Sequence, residues 1–552
     1  MARTTPRTLP KRRSSPGVRA AILLAVLGLP AVADEIGDLE RQAKDRAYGA
    51  YWDRTKAFGK LAKIGSAKAA EIVLPNCGDE ESAVREYAGL AVADFTEQPA
   101  IDWLAANAPN LKSGEGRATA FWGFGVSGRE GYLPALEKAA SSDRDPAARA
   151  AAVRAIGSFG SKAKDEVLVL ALKDSAPQVR EEAALALADR KTSAAAEPLV
   201  KLMSDAAWQP HAAALYALAT CASDRFKEAL PKAQKDKAYQ VRLAACEAAY
   251  SVGAEDGFGA AAVALEDDAW QVRVAAIGVL EQVWEVRCIE PLINRLAKEK
   301  GRLRYDITMA LRAMTGREIG YSAKDWALWW ASAKADFKMG PKPKDRKFEI
   351  PKNAGSEATF YDVPILSDRI GFTIDFSGSM QTEEENKDDG SREQKGKWKI
   401  EIALDEFSKT VKALKPEVRL NLVIMSSEAV VQKLRAFAKK LVPADPRTQA
   451  TIIGWARDAD KKLSDIKRGR GDMWDAAMDL YADEEVDTIF ILSDGKPSYG
   501  ACIDDAHFLA ELGRANRYRK IMIHTVLTGT KGTDKKFMES IARQSGGQSV
   551  AR

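Results

Sequence analysis

Histidine is nearly missing from this chain: 552 residues contain three, His211, His507 and His524. The scarcity bears on chemistry, because a serine nucleophile needs an activating base and an oxyanion hole. No motif places any of the three beside a candidate serine. G-x-S-x-G, a Walker A loop and H-E-x-x-H are also absent. These absences argue against hydrolysis and phosphoryl transfer, and the expectation is a protein that is not an enzyme. Cysteine is sparse too: five residues, an odd number, with no C-x-x-C, which excludes a zinc ribbon and a C-x-x-C redox motif. Most lie in apolar helical patterns, where a free cysteine behaves as a small hydrophobe. Charge of one sign is short: 83 basic residues face 78 acidic ones, a net +5. That is too little for a protein that binds nucleic acid along its length.

Long apolar runs are lacking as well. The apolar stretch at 20–33 has fourteen residues, short of the roughly 20 a membrane span needs. It follows MARTTPRTLPKRRSSPGVR, with six basic and no acidic side chains, and ends in Ala31-Val32-Ala33 before the acidic DEIGD. A positive segment, a short apolar core and an A-x-A site describe a secretory signal peptide. Residues 1–33 are expected to be removed, and the mature chain, starting near Asp34, to be exported to a periplasm, cell envelope or extracellular space. An uncleaved membrane anchor is the other reading.

What the chain has is a repeat. Asp143, Asp174, Asp205, Asp236 and Asp267 are 31 residues apart, and six residues after each stands Arg149, Arg180, His211, Arg242 or Arg273. Arg304 continues the series, and Asp79 with Arg85 belongs to an earlier copy. Each basic residue opens an Ala/Leu-rich run at helical spacing, and a second short helix follows, as in PLVKLM or EPLINRL. A unit of two such helices cannot bury its own face, so the pairs stack into one core. The pattern resembles the short HEAT-like repeats also seen in phycobilin-lyase-type proteins. The resemblance implies an all-α solenoid over 34–333. The Asp column is expected to cap helices, and the Arg column to reach carboxylates or helix ends of neighbouring repeats. A third column, Trp208, Tyr239 and Trp270, is expected to stack between repeats, an aromatic stripe offered to a partner being the alternative. Trp326, Trp329 and Trp330 suit a terminal cap. The Lys/Pro/Gly-rich stretch within 334–360 reads as a linker between independently folding units.

From residue 361 the pattern changes to apolar strands alternating with amphipathic helices. That order predicts an α/β doubly wound, Rossmann-like domain over 361–552, with a parallel sheet covered on both faces. Ligands of such sheets bind beyond the carboxyl ends of the strands. There RIGFTIDFSGSM ends on Asp375, Ser377 and Ser379, and VDTIFILSDGKP ends on Ser493 and Asp494. All are hard oxygen donors of the kind Mg²⁺ prefers. DFSGSM resembles the D-x-S-G-S-M signature of von Willebrand factor A domains, and ILSDGKP resembles their later metal loop.

That resemblance implies a metal-ion-dependent adhesion site at Asp375, Ser377, Ser379 and Asp494, taking Mg²⁺ or Mn²⁺ and completed by an Asp or Glu of a protein partner. One departure stands out. Where the family has a threonine in a middle loop, the aligned residue of GRGDMWDA is Gly471. Asp472 beside it is the candidate replacement ligand, the alternative being that it caps the helix that follows. Gly378 is expected to let both serines turn to one point. The reading is an exported, non-enzymatic binding or scaffold protein with no nucleic-acid partner. An adaptor of an AAA+ ATPase and a lyase-like or hydrolytic enzyme on the solenoid stand as alternatives.

Overall fold

The computed structural model describes residues 34–46, 50–342, 358–382, 397–466, 468–529 and 532–552. The expected signal peptide, most of the linker and most of the charged stretch after Ser379 lie outside them. No helix among the described residues is long and apolar enough to cross a membrane.

The alanine-rich runs are helices, and they stack as the repeat requires. Ser82–Asp94, Gly114–Ser127, Pro146–Ser158, Pro177–Arg190, Trp208–Cys221, Tyr239–Val252, Trp270–Val283 and Gly301–Thr315 pack each against the next. Shorter helices such as Leu133–Ser142 and Ile289–Leu296 form the other layer. Alanine sets the spacing: Ala183, Ala184, Ala212, Ala213 and Ala244 are fully buried, and small side chains let neighbouring helices approach.

The Arg and Asp columns join successive repeats. Arg149 grips Asp174 through Nε at 2.7 Å and Nη2 at 2.8 Å, and Arg180 grips Asp205 at the same two distances. Arg117 with Asp143 and Arg242 with Asp267 repeat the fork. Each Arg also donates back to its own repeat, as Arg149 does to the Asp143 carbonyl at 2.8 Å. The aspartates do not cap the helices directly. Asp174 accepts from the Ala176 N–H, two residues on, and so fixes the turn before Pro177–Arg190, whose N-cap residue is Ala176. Such i to i+2 bonds are Asx turns. The array ends on Ala323–Ala333, where Trp326 is fully buried and meets Trp329, which packs with Trp330 and Phe337.

Among the described residues the α/β unit has eight strands. β1 (Thr359–Phe360) and β2 (Val363–Pro364) make a small hairpin. β3 (Arg369–Asp375), β4 (Arg419–Met425), β5 (Val442–Pro443), β6 (Thr488–Ser493), β7 (Met522–Leu527) and β8 (Ser549–Ala551) form one sheet in the order β5-β4-β3-β6-β7-β8. Neighbours are parallel except β5, which runs antiparallel to β4. The sheet is therefore mixed, not wholly parallel as its sequence implied. An edge strand of two residues needs no crossover helix and can return directly. β3, β6 and β7 are buried almost throughout, as a sheet covered on both faces demands. The chain passes from β3 to β4 on one side and later returns to β6 on the other, so the order reverses at β3. Their carboxyl ends frame the crevice.

The two units pack closely. The helix Asp505–Arg519 lies across the inner helices of the solenoid. Glu86 accepts from the backbone N–H of Ile503 at 2.6 Å and of Asp504 at 3.2 Å, and its carboxylate is 2.7 Å from His507 Nδ1. Arg154 pairs with Glu511 at 2.8 Å, Glu182 with Arg514, and Glu247 with Lys520 at 2.6 Å. The aromatic column does not stack on itself. Trp208 meets Tyr518 edge-on with centroids 5.0 Å apart, and the Arg369 guanidinium lies 5.1 Å over Trp270. Trp208 and Trp270 are thus covered by the protein's own second unit.

Candidate functional site

β3 and β6 are neighbours, with Ile374 opposite Leu492. Both strands stop at the same level, which brings residues separated by more than a hundred positions together. Asp375 is the last residue of β3 and is almost fully buried. Its Oδ1 accepts from the Ser377 N–H at 2.8 Å, and its Oδ2 from the Ser493 hydroxyl at 2.6 Å. Ser377 Oγ lies 3.0 Å from Ser379 Oγ, and Ser379 donates to Asp494 Oδ1 at 2.8 Å. Asp375, Ser377, Ser379 and Asp494 thus form one hydrogen-bonded series. The serines converge because Gly378–Gln381 is a turn of 3-10 helix that begins right after Ser377. The glycine itself is not what allows this. It has no left-handed backbone, and a Cβ there would meet only the Arg468 carbonyl oxygen, at 3.8 Å.

Asp375 sits uneasily as an anion. Burial, and next the charge of Asp494, push its carboxyl up to about 6, although hydrogen bonds from Ser493 and Ser377 pull the other way. A second carboxylate across the crevice disfavours the charged form of the buried Asp375. Lys399 Nζ stands 3.1 Å from Asp494 Oδ2 as a counter-charge.

Four loops meet around the cluster. Gly378 N–H donates to the Gly469 carbonyl at 3.1 Å, and Ser427 N–H to that of Arg470 at 2.9 Å. Gly471 N–H donates to Ser498 Oγ at 3.2 Å, while its carbonyl accepts from the Ser498 and Tyr499 N–H groups, each at 3.1 Å. Gly471 lies directly against Asp375: a Cβ built on it would stand 3.4 Å from Oδ2 and 3.7 Å from Oδ1. The residue aligned with the family's threonine is therefore where such a side chain would face the cluster, and it has none.

Asp472 stands apart from the hydrogen-bonded series. Its Oδ1 accepts from the Asp475 N–H at 3.2 Å, capping the helix Met473–Tyr481, and its Oδ2 faces Arg435 at 3.5 Å. Burial, then the charge of Asp475, raise its carboxyl to about 7, with Arg435 opposing. The side chain caps the helix end, the alternative reading of the sequence.

Among the described residues no three His, Cys, Asp or Glu side chains converge as a metal centre. The strand-end cluster is instead two carboxylates and two hydroxyls, with Ser493 behind. Such all-oxygen donors suit a small hard cation and no soft one, so the residues present fit Mg²⁺ or Mn²⁺ in type. Sequence reasoning assigned no role to Ser493, Lys399 or Arg470. Ser493 was visible as a hydroxyl next to Asp494. Lys399 and Arg470 belong to no motif, and only the fold brings them here. Arg470 pairs with Glu81 at 2.5 Å and lies 3.9 Å over the Tyr51 ring and 4.4 Å over that of Tyr499. The middle loop is thereby fastened to the first repeats of the solenoid.

Residues 133–219 match the family of HEAT repeats. No curated protein matches the chain. Among solved structures, the CpcE–CpcF complex of phycocyanin lyase from Nostoc sp. PCC7120 is 20% identical over 48% of this chain and 94% of that one, with a TM-score of 0.28. Human deoxyhypusine hydroxylase in complex with glycerol is 14% identical, over 41% and 98%, with a TM-score of 0.20. A designed armadillo repeat protein in complex with the peptide (KR)4 is 19% identical, over 39% and 98%, with a TM-score of 0.24.

Proposed function

We propose that this chain is an exported, non-enzymatic binding protein, in which a HEAT-like solenoid carries a von Willebrand factor A-type domain that offers a divalent cation to a protein partner. The observation that carries the reading is the hydrogen-bonded series Asp375–Ser377–Ser379–Asp494 at the carboxyl ends of β3 and β6. Asp375, Ser377, Ser379 and Asp494 would hold Mg²⁺ or Mn²⁺. When bound, the ion would supply a concentrated positive charge for an Asp or Glu of the partner. The protein's own residues orient that set. Ser493 fixes the Asp375 carboxylate, and Ser498 holds Gly471 beside it.

A binding role is supported by where the histidines are. His507 is bound to Glu86, His524 accepts from the Gln548 N–H, and His211 faces Asp236. Each is engaged away from Ser377 and Ser379, so neither serine has a histidine base. Export rests on the basic, apolar, A-x-A order of residues 1–33, and N-terminal sequencing of secreted or periplasmic material should begin near Asp34.

The test is a Mn²⁺ titration of the full chain by calorimetry, with a pull-down from envelope extract in Mg²⁺ and in EDTA. Asp375→Ala should abolish both metal uptake and Mg²⁺-dependent capture, because no neutral ligand replaces its charge. Asp472→Ala should leave affinity nearly unchanged and lower stability by about 1 kcal/mol, the usual cost of a lost cap. Gly471→Thr, which adds a hydroxyl against Asp375, should tighten binding. A wild-type chain that takes up no divalent ion at millimolar concentration would overturn the reading.

A further inference from the structure

We propose that Lys399 is a tethered cation that neutralises Asp494 and so weakens the strand-end site for divalent ions. This rests on the metal reading above and adds a control that the D-x-S-G-S-M pattern does not contain. The ammonium lies 3.1 Å from Asp494 Oδ2, while Asp494 Oδ1 is taken by Ser379 at 2.8 Å. Both oxygens of the second carboxylate are therefore engaged. Neither partner waves in solvent: the Lys399 side chain is 17% exposed and that of Asp494 10%.

The lysine's position is set by the backbone. Lys399 opens the helix Lys399–Ala413, and its N–H donates to the Thr382 carbonyl at 3.1 Å. Thr382 Oγ1 in turn donates to the Ser379 carbonyl at 2.9 Å. The residue that presents the ammonium is thus pinned to the turn that presents Ser379. Lys397, two positions earlier, goes elsewhere and pairs with Asp405 at 2.8 Å. An ammonium has three donors and no lone pair, so it cannot join an ion's coordination shell. A divalent ion must displace it from Asp494 or sit beside a like charge. In the first case the Lys399 side chain swings out as the ion enters, which would place a positive group at the rim where a partner's carboxylate arrives.

Mn²⁺ titration of the full chain tests this. Lys399→Met keeps the aliphatic stem, removes the charge, and should bind Mn²⁺ at least tenfold more tightly than wild type. Lys399→Arg keeps the charge and should stay below Lys399→Met. Lys397→Met removes the same net charge away from the cluster and should leave affinity unchanged. Wild type binding Mn²⁺ with Lys399→Met no tighter overturns the proposal and leaves the metal site standing. Equal tightening in Lys399→Met and Lys397→Met overturns it too, because the effect would then be one of overall charge. If wild type takes up no Mn²⁺ at millimolar concentration, the metal reading fails and this proposal with it.

Discussion

A buried imidazole shows what single residues contribute to this fold. His524 lies inside β7, stacks on Phe490 with centroids 4.7 Å apart, and accepts from the Gln548 N–H at 3.1 Å. Burial, and then the charge of Arg302, lower its pKa to about 3. The folded state therefore holds the ring neutral, while the unfolded chain takes up a proton near 6.5. The stability tied to His524 is complete above about 6.5 and declines as pH falls from there toward 3. By pH 5 the loss is about 2 kcal/mol. His524→Asn offers an acceptor that does not titrate, so its urea midpoints should fall less between pH 7 and pH 5 than those of wild type. At this scale the sequence was legible where chemistry is local. Asp375, Ser377, Ser379 and Asp494 follow strand ends in the sequence and meet in space. Asp472 was not, because a carboxylate before a helix serves a cap or a metal equally well by sequence. The distinction lies in Arg435, which reaches it from 37 positions away. Lys399 was not legible either, since a lysine opening an amphipathic helix looks like any solvated one.

At the scale of elements, the 31-residue period is the most readable feature, because each repeat contacts only its neighbours and the pattern is local by construction. Its chemistry was half readable. The Arg fork onto the next repeat's carboxylate follows from the spacing, but the aspartate's Asx turn needed the backbone. Asp205 carries both jobs. It receives Nε and Nη2 of Arg180 and holds the Ala207 N–H at 3.0 Å. Burial works against its ionised form, yet the hydrogen bonds from Arg180 and Ala207 leave the carboxyl below its usual range. Asp205→Ala strands a largely sheltered guanidinium and opens the turn. A loss of about 2–3 kcal/mol is expected, the cost of leaving a charge-assisted bond unmade. Asp268 is the comparison. It also meets Arg242, but its side chain is 91% exposed, and Asp268→Ala should change the urea midpoint little. Both variants are checked by urea unfolding followed by circular dichroism, which reports the helices. The mixed sheet was less readable, since a two-residue edge strand such as β5 leaves almost no periodic signal.

Across the whole molecule, the linker's composition says how two units are joined and nothing about what their surfaces do. The contacts between them are ordered along the chain. Glu86 meets the start of Asp505–Arg519, Arg154 and Glu182 meet Glu511 and Arg514, and Glu247 meets Lys520 just past its end. Glu86 is the contact with most to lose. Its side chain is nearly fully sheltered, and it serves two backbone N–H groups and one imidazole of the opposite unit. A specific protease site inserted within 343–357 of the full chain, and cut after folding, tests the interface. The two halves of the wild type should stay together on size exclusion at moderate salt. Glu86→Ala combined with Glu182→Ala removes the carboxylates that hold Ile503, Asp504, His507 and Arg514, and its halves should separate. Arg470→Ala alone should leave them together but loosen Gly471, because it frees the middle loop from Glu81 and Tyr51. Halves of the wild type that part as soon as the chain is cut would mean that the linker, and not this interface, unites the molecule.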